Sequence, residues 1–137
     1  MAKIFQLEII ASDRLFYKGD CEILVFPGID GEHGILANHE AMVTYVNAGE
    51  LRYQYNGVWN YAAVSAGFVE ITPTRVVLLA DTVERPDEID INRATESKLR
   101  AEEQLRQKLS IKEYYNTKAA MNRAMARLKI TSKHKEI

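Results

Sequence analysis

The sequence is poor in cysteine, proline and long hydrophobic runs, and each shortage excludes a class of protein. A single cysteine, Cys21, among 137 residues cannot form an internal disulfide, which favours a reducing compartment. No apolar run approaches the roughly 18 residues that a membrane-spanning helix needs. The first residues, MAKIFQLEIIAS, alternate polar and apolar side chains without a small-residue cleavage site, so we expect a strand and not a signal peptide.

Sequence signals for catalysis and metal binding are missing as well. The histidines, His33, His39 and His134, do not have the spacing of metal ligands, and Cys21 is the only thiol. The glycine-rich stretch 28–34 (GIDGEHG) lacks the Gly-Lys-Ser/Thr ending of a phosphate-binding loop, so we interpret it as turns. No nucleophile motif built on serine or cysteine occurs. We therefore expect no catalytic residues, no metal and no required cofactor.

The first half of the chain has a period of two. Apolar side chains alternate with polar ones in three sets that each share a face: Phe5, Leu7 and Ile9; Cys21, Ile23 and Val25; Leu51, Tyr53 and Tyr55. Asn56-Gly57 after the third set predicts a hairpin, because a type I′ turn needs positive φ at both positions. A second hairpin is expected around Thr72-Pro73-Thr74. Many short strands separated by turn residues predict an antiparallel sandwich or barrel.

The second half has a helical period. Pro86 suits a helix start, and Asp87 or Asp90 is placed to cap it. Neither glycine nor proline occurs in 91–109 or in 114–130, so we predict two helices separated by a short polar turn. The predicted apolar faces are Ala94, Ala101, Leu105 and Leu109 on the first helix and Tyr114, Met121, Met125 and Leu128 on the second.

The two halves differ in charge as well as in period. Residues 1–85 carry 6 Lys+Arg against 11 Asp+Glu, a net of −5, and residues 86–137 carry 12 against 8, a net of +4. We predict an α+β chain of two domains, an antiparallel β-sandwich over 1–85 and an antiparallel helical hairpin over 86–137. The hairpin's apolar faces are rich in alanine, which buries little area, so we expect marginal attachment to the sandwich. Its basic surface favours an anionic partner, whether a phosphate, a nucleic acid or an acidic protein.

Four arginines of the hairpin have the spacing of an anion site. Arg93 and Arg100 lie seven residues apart on the first predicted helix, and Arg123 and Arg127 lie four apart on the second, so each pair shares a face. In an antiparallel hairpin the two pairs can converge, and guanidinium groups suit phosphate oxygens. The alternative is that these arginines are solvated or pair with the carboxylates of Glu96, Glu102 and Glu103.

Four sequence blocks, in this order and at this spacing, carry a family resemblance: GEHGILANH at 31–39, SAGF at 65–68, LADT at 79–82 and IDINRA at 89–94. With them the chain resembles the epsilon-subunit family of the bacterial F-type ATP synthase, whose counterparts are the chloroplast epsilon and mitochondrial delta subunits. The resemblance covers nearly the whole chain. It departs at Ala41 and Ala48, where the family usually has proline, and at Ala66, where it often has glycine.

The resemblance implies a non-catalytic central-stalk subunit of a proton-translocating ATP synthase, peripheral on the cytoplasmic face of the bacterial cell membrane. A sandwich of about ten strands would contact the gamma subunit and the c-ring, with Glu32 and His39 as rotor-ring candidates. The helical hairpin, the regulatory domain, would fold onto the sandwich or extend along gamma into the alpha/beta catalytic head, where it inhibits ATP hydrolysis. Lys118, Arg123 and Arg127 are the candidates for contact with an acidic surface of the beta subunit.

The same resemblance implies a nucleotide site in the folded hairpin. IDINRA matches the family motif Ile/Leu-Asp-x-x-Arg-Ala, which accompanies ATP binding in some bacterial members. ATP would be a regulatory ligand, with groups near Asp90 accepting the adenine amino group and arginines neutralising the phosphates. The candidate ATP-binding residues are Glu84, Ile89, Asp90, Arg93, Ala94, Arg100, Arg123 and Arg127.

Two other interpretations stay open at the level of sequence. A nucleotide-processing enzyme would need a nucleophile or a metal site, and neither is visible. A stand-alone nucleotide- or nucleic-acid-binding module would use the basic helical tail and bind with a strong salt dependence. The strand half lacks a basic face with exposed aromatic residues, which argues against a nucleic-acid partner.

Overall fold

Two five-stranded sheets followed by two helices make up the chain. The computed structural model describes residues 3–107 and 109–134. Its elements are β1 (Phe5–Ala11), β2 (Leu15–Cys21), β3 (Ile23–Gly28), β4 (Gly31–Leu36), β5 (Met42–Val46), β6 (Gly49–Tyr55), β7 (Val58–Val64), β8 (Gly67–Ile71), β9 (Arg75–Ala80), β10 (Val83–Glu84), a 3-10 linker helix (Pro86–Glu88), α1 (Ile91–Leu105) and α2 (Ile111–His134). The predicted α+β fold of about ten strands and a helical hairpin is confirmed. Residues 1, 2, 108 and 135–137 of the two predicted domains lie outside the described residues.

The strands form two sheets packed face to face. Their orders are β2-β1-β9-β8-β5 in the first sheet and β10-β7-β6-β3-β4 in the second. Among the described residues every strand pair is antiparallel except β1 with β9, which run parallel. The predicted antiparallel sandwich therefore has one exception among the described strands, this parallel pair. Alternation along a strand specifies its buried face and carries no information about the direction of a neighbour distant in sequence.

The core lies between the sheets and is filled by alternating side chains. Leu7 and Ile9 of β1, Leu51 of β6 and Leu78 of β9 are completely buried there. Cys21 is buried with them, and burial raises the pKa of its thiol to about 11. The predicted place of this cysteine as a small core residue is confirmed.

Both predicted hairpins are present. Asn56 and Gly57 have φ angles of 52° and 73° and connect β6 to β7, as a type I′ turn requires. The turn at residues 72–74 connects β8 to β9, where the Thr72 hydroxyl donates to the Arg75 carbonyl oxygen at 2.8 Å.

The face predicted for residues 21–25 is wrong beyond Cys21. The chain bends at Glu22, so one strand ends at Cys21 and the next begins at Ile23. In β3 it is Leu24 and Phe26 that enter the sandwich core, because a break of one residue reverses the side chains that face it.

The helices form a second layer on the outer face of the second sheet. α2 contacts β6 and β7, and α1 contacts α2. α1 and α2 pack against each other across a short connection, as in an antiparallel hairpin, and the Thr117 hydroxyl of α2 lies 3.5 Å from Gln104 Oε1 of α1. α2 therefore lies between α1 and the sandwich.

The helix boundaries differ from those predicted. α1 ends at Leu105 and not at Leu109, and α2 begins at Ile111 and extends to His134. Ser110 and Glu113 explain the start of α2, because the Ser110 hydroxyl accepts from the Glu113 N–H at 3.2 Å and the Glu113 carboxylate accepts from the Ser110 N–H at 3.4 Å.

The apolar face predicted for the second helix, with Ala120 and Ala124 beside it, is wrong at two positions, whereas Ala124 is buried as expected. Tyr114 and Met125 are each more than 40% exposed. The buried residues of α2 are Ala124, Ala126, Ile130 and Thr131. Small side chains are buried here because α2 is covered on two sides, by α1 and by the sheet, and close approach of the backbones favours them.

Candidate functional site

The start of α1 depends on one carboxylate. Asp90 has an extended backbone, and its Oδ1 accepts a hydrogen bond from the Arg93 backbone N–H at 3.1 Å. Ile89 before it is buried with Ala63 and Ile130, and Ala94 is buried in the first turn. The predicted cap at Asp90 is confirmed. Its other oxygen, Oδ2, forms no hydrogen bond with a described residue.

A narrow crevice between α2 and the second sheet brings three candidate residues together. Arg127 Nε donates to Glu84 Oε1 at 2.6 Å, and Arg123, one turn earlier, lines the same crevice. Arg123 also lines a cavity of about 400 Å³, and Arg127 lines one of about 350 Å³. The crevice itself has no room for a water molecule, so the open space beside these two arginines lies in the two adjoining cavities.

The other two arginines are exposed on α1. Arg93 and Arg100 do not line the crevice, so the structure does not bring all four predicted arginines together. None of Arg93, Arg100 and Arg123 forms an ion pair with a residue in 3–107 or 109–134, and Glu102 pairs with Lys98 at 3.8 Å. The alternative pairing with Glu96, Glu102 and Glu103 is therefore not observed. Three guanidinium groups are available to an anion.

The two rotor-ring candidates lie at opposite ends of one strand. Glu32 is near the start of β4, and its Oε2 accepts a hydrogen bond from Arg52 Nη1 at 2.6 Å. His39 follows the end of β4, with Nδ1 at 2.7 Å from the Glu40 carbonyl oxygen. The structure does not bring them together. Lys118, the remaining beta-subunit candidate, is exposed on α2.

The glycine-rich stretch, predicted to be turns, forms one two-residue turn at Ile29-Asp30, and residues 31–34 belong to β4. Gly31 has a φ of 127°, which favours glycine, and Gly28 pairs with it across the turn. His33 Nε2 lies 2.9 Å from Asp30 Oδ1, and its ring stacks on Phe26. No group of three potential metal ligands occurs in the described part of the chain.

Comparison with protein families assigns both parts of this architecture. Residues 4–86 match the beta-sandwich domain of the ATP synthase delta/epsilon chain, and residues 87–132 match its long alpha-helix domain. The chain belongs to the ATP synthase delta/epsilon family. It is accordingly an epsilon-type subunit and not an enzyme by itself, and the family replaces the interpretations of an enzyme or a stand-alone module.

Relatives of the delta/epsilon family match over nearly the full length. The ATP synthase epsilon chain of Ruminiclostridium cellulolyticum is 48% identical, over 96% of this chain and 98% of the relative. That of Caldanaerobacter subterraneus is 44% identical over 100% of both chains. A chain in the structure of the Euglena gracilis mitochondrial ATP synthase (OSCP/F1/c-ring) has the same fold, with a TM-score of 0.79 at 19% identity over 92% of this chain and 79% of that chain.

Sequence reasoning missed an exposed apolar surface on this family member's first sheet. Tyr45, Phe68, Leu79, Ile10 and Leu15 are successive cross-strand partners on β5, β8, β9, β1 and β2. Four of these side chains are 48–55% exposed, and Ile10 is half-buried. We call this set the apolar row. Alternation shows one outward apolar residue per strand, but it does not give the register that aligns them.

A second feature missed from the sequence holds the end of α2 on the second sheet. Glu50 of β6 contacts both Lys133 and His134, and the His134 ring stacks on Tyr61 of β7. We call these four residues the C-terminal anchor. No sequence signal connects them, because Glu50 and His134 belong to different domains of this delta/epsilon chain.

Proposed function

We propose that this chain is a central-stalk subunit of a proton-translocating F-type ATP synthase, that its hairpin inhibits ATP hydrolysis, and that ATP binds the docked hairpin. Docked here means that α2 lies on the second sheet. Family membership and full-length similarity to proteins named ATP synthase epsilon chain support the first part. The regulatory part depends on one observation: Arg123 and Arg127 of α2 are turned toward the sandwich.

The apolar row gives the sandwich a surface for binding another subunit. Contiguous exposed apolar residues mark protein interfaces, and this row crosses all five strands of its sheet. The proposed partners are the gamma subunit and the c-ring, with Glu32 and His39 as ring contacts. No helix in the described residues is both long and apolar enough to cross a membrane. We propose that these partners hold the chain at the cytoplasmic face of the bacterial membrane.

Docking and inhibition compete for the same side chains. In the docked hairpin Arg127 contacts Glu84, and Arg123 faces the same crevice. Neither can at the same time contact an acidic surface on the beta subunit, whereas Lys118 is exposed. The hairpin must therefore leave the sandwich before Arg123 and Arg127 reach the catalytic head, so docking prevents inhibition.

ATP is proposed to stabilise the docked hairpin. Arg93, Arg100 and Arg123 form no ion pair with a described residue, so phosphates meet cations that are not neutralised. Asp90 Oδ1 caps α1, which leaves Oδ2 to accept the adenine amino group. A ligand shifts this equilibrium only as far as it binds the docked state more tightly than the extended one. High ATP then favours docking, and low ATP releases the inhibitor.

Calorimetric titration of the isolated chain with ATP tests the nucleotide site. We expect the wild type to bind ATP. Arg123→Ala and Arg127→Ala should each lower the affinity at least about tenfold, since a hydrogen bond to a charged group contributes about 1.5–3 kcal/mol. Lys129→Ala, which removes an exposed cation from the same helix, is the matched control and should bind as the wild type does.

Variants of Asp90 separate capping from recognition. Asparagine caps helices about as well as aspartate, so Asp90→Asn keeps α1 capped while it removes the carboxylate. Weaker ATP binding by Asp90→Asn at unchanged stability supports a direct contact. Absence of wild-type binding at millimolar ATP would remove the nucleotide site and leave the stalk and inhibitor proposals to be tested in the assembled enzyme.

A further inference from the structure

The C-terminal anchor is a polar contact between domains at a largely buried position. The Glu50 side chain is only 7% exposed. Its Oε1 is hydrogen-bonded to His134 Nε2, and its Oε2 lies 3.2 Å from Lys133 Nζ. The Tyr61 and His134 rings stack with their centroids 3.5 Å apart. A carboxylate on the sandwich thus contacts two consecutive residues in the last turn of α2.

The electrostatics favour this contact. Burial by itself raises the pKa of Glu50, but hydrogen bonds from His134 and Lys133 outweigh burial and hold the pKa below its usual value. Glu50 is therefore ionised at neutral pH. The last turn of a helix carries partial negative charge, so basic residues there are also favoured by their own helix. Removal of His134 or Lys133 leaves the largely buried Glu50 carboxylate with one hydrogen bond fewer, which is costly.

Apolar packing around the anchor is thin. The cluster that joins α2 to the sheet consists of Ala63, Ile89 and Ile130, with Tyr61 partly buried against it. Beside it lies a cavity of about 450 Å³ between β7, the linker helix and the ends of both helices, lined in part by Trp59, Thr131 and His134. This cavity is open to solvent and large enough for several water molecules, so the side chains around it bury less apolar area. The end of α2 is therefore held by the anchor together with the burial of Ile130.

We propose that Glu50 is the residue of the sandwich that holds the hairpin docked in the absence of nucleotide, through Lys133 and His134. The anchor lies two helical turns from the Glu84–Arg127 contact, so within the described residues α2 has two separate polar attachments to the sandwich. The crevice attachment is the one that ATP would modify. The anchor sets how often the hairpin opens when no ATP is bound, and this role rests on the proposed undocking.

Hydrogen exchange on the full-length isolated chain without nucleotide tests the anchor. In Glu50→Gln and in His134→Gln, we expect amides of α2 to exchange about tenfold faster, as loss of a charged hydrogen bond predicts. The double variant should be little worse than either single one, because the two side chains share one interaction. Glu8→Gln is the matched control, since Glu8 pairs with Arg75 at 2.8 Å on the other sheet.

The outcomes separate the anchor from the proposed function. If the amides of α2 in the wild type exchange as slowly as those of the sandwich core, the hairpin does not open separately. That result would refute both the proposed undocking and the anchor's role in it. If α2 of the wild type exchanges faster than the sandwich core, but neither Glu50→Gln nor His134→Gln changes that rate, the anchor proposal is wrong and the proposed undocking stands. If Glu50→Gln also speeds hydrogen exchange in the sandwich strands, the result for His134→Gln tests the anchor, because His134 lies outside the sandwich core.

Discussion

Gly67 lies where β8 and β9 approach so closely that no side chain larger than hydrogen fits. A Cβ added at this position would lie 1.9 Å from the Leu79 carbonyl oxygen of the neighbouring strand, which cannot move without breaking the sheet. We expect Gly67→Ala to lower the free energy of unfolding by about 1–3 kcal/mol or more, as overpacking does. Gly34→Ala, where a Cβ meets nothing within 4 Å, should change it far less, and equal effects in urea unfolding would contradict the account.

At the residue scale the sequence predicted the local chemistry well and the long-range contacts poorly. The caps and turns at Asp90, Asn56 and Gly57 depend on neighbours in sequence, so residue type alone indicated them. The partner of Arg127 was not predictable in the same way. Glu84 was expected in the nucleotide site through family resemblance, but spacing gave no reason for a contact across 43 residues.

Among the elements, α2 has the most important position, because it packs on β6 and β7 and so connects the hairpin to the sandwich. Ile130 is its largest fully buried side chain and contacts the cluster of Ala63 and Ile89. Large-to-small substitutions at such sites remove both transfer energy and packing. The docked hairpin therefore depends on one aliphatic residue together with two polar attachments.

Substitution of Ile130 tests that dependence. We expect Ile130→Ala to destabilise docking by about 2–5 kcal/mol and Ile130→Val by about 0.5–1.5 kcal/mol. Hydrogen exchange of α2 should rise in that order while the strands keep wild-type protection. Loss of protection throughout the chain would show that hairpin and sandwich unfold as one unit, contrary to the separate opening proposed here.

The strands were more predictable than the helices for a physical reason. A strand in a sandwich has one buried and one outer face, so alternation in β1 or β6 identifies the core directly. α2 is buried on two sides by different neighbours, and its buried residues do not form a single stripe. The predicted face is therefore wrong at Tyr114 and Met125. The S-x-x-E signal at Ser110 and Glu113 was available for the helix start.

At the scale of the whole molecule, the linker helix is held to the sandwich by a two-pronged ion pair. Arg14 donates to both carboxylate oxygens of Glu88, at 2.7 and 2.9 Å. These hydrogen bonds, opposed by partial burial, lower the pKa of Glu88 to about 2. A lowered pKa in the folded state contributes stability above the ordinary value of 4.5, and this contribution is lost as the pH falls toward 2.

Unfolding between pH 6 and pH 2.5 checks this contribution. The wild type should lose stability as the pH falls, and Glu88→Gln should show a smaller loss because it has no carboxylate to protonate. Glu70→Gln removes an exposed carboxylate that has no ion-pair partner among the described residues, so it should follow the wild-type curve. Identical curves of stability against pH for all three proteins would show that the Arg14–Glu88 ion pair does not contribute to the pH dependence of stability.

The central claim is that ATP stabilises the docked hairpin, and hydrogen exchange of the isolated chain with and without ATP tests it most directly. The account predicts slower exchange in α2 as ATP rises, by the factor 1 + [ATP]/Kd, with no change in the sandwich strands and much less slowing in Arg123→Ala, whose Kd is about tenfold higher. Exchange in α2 that is unaffected by millimolar ATP, or slowed equally in Arg123→Ala, would contradict it.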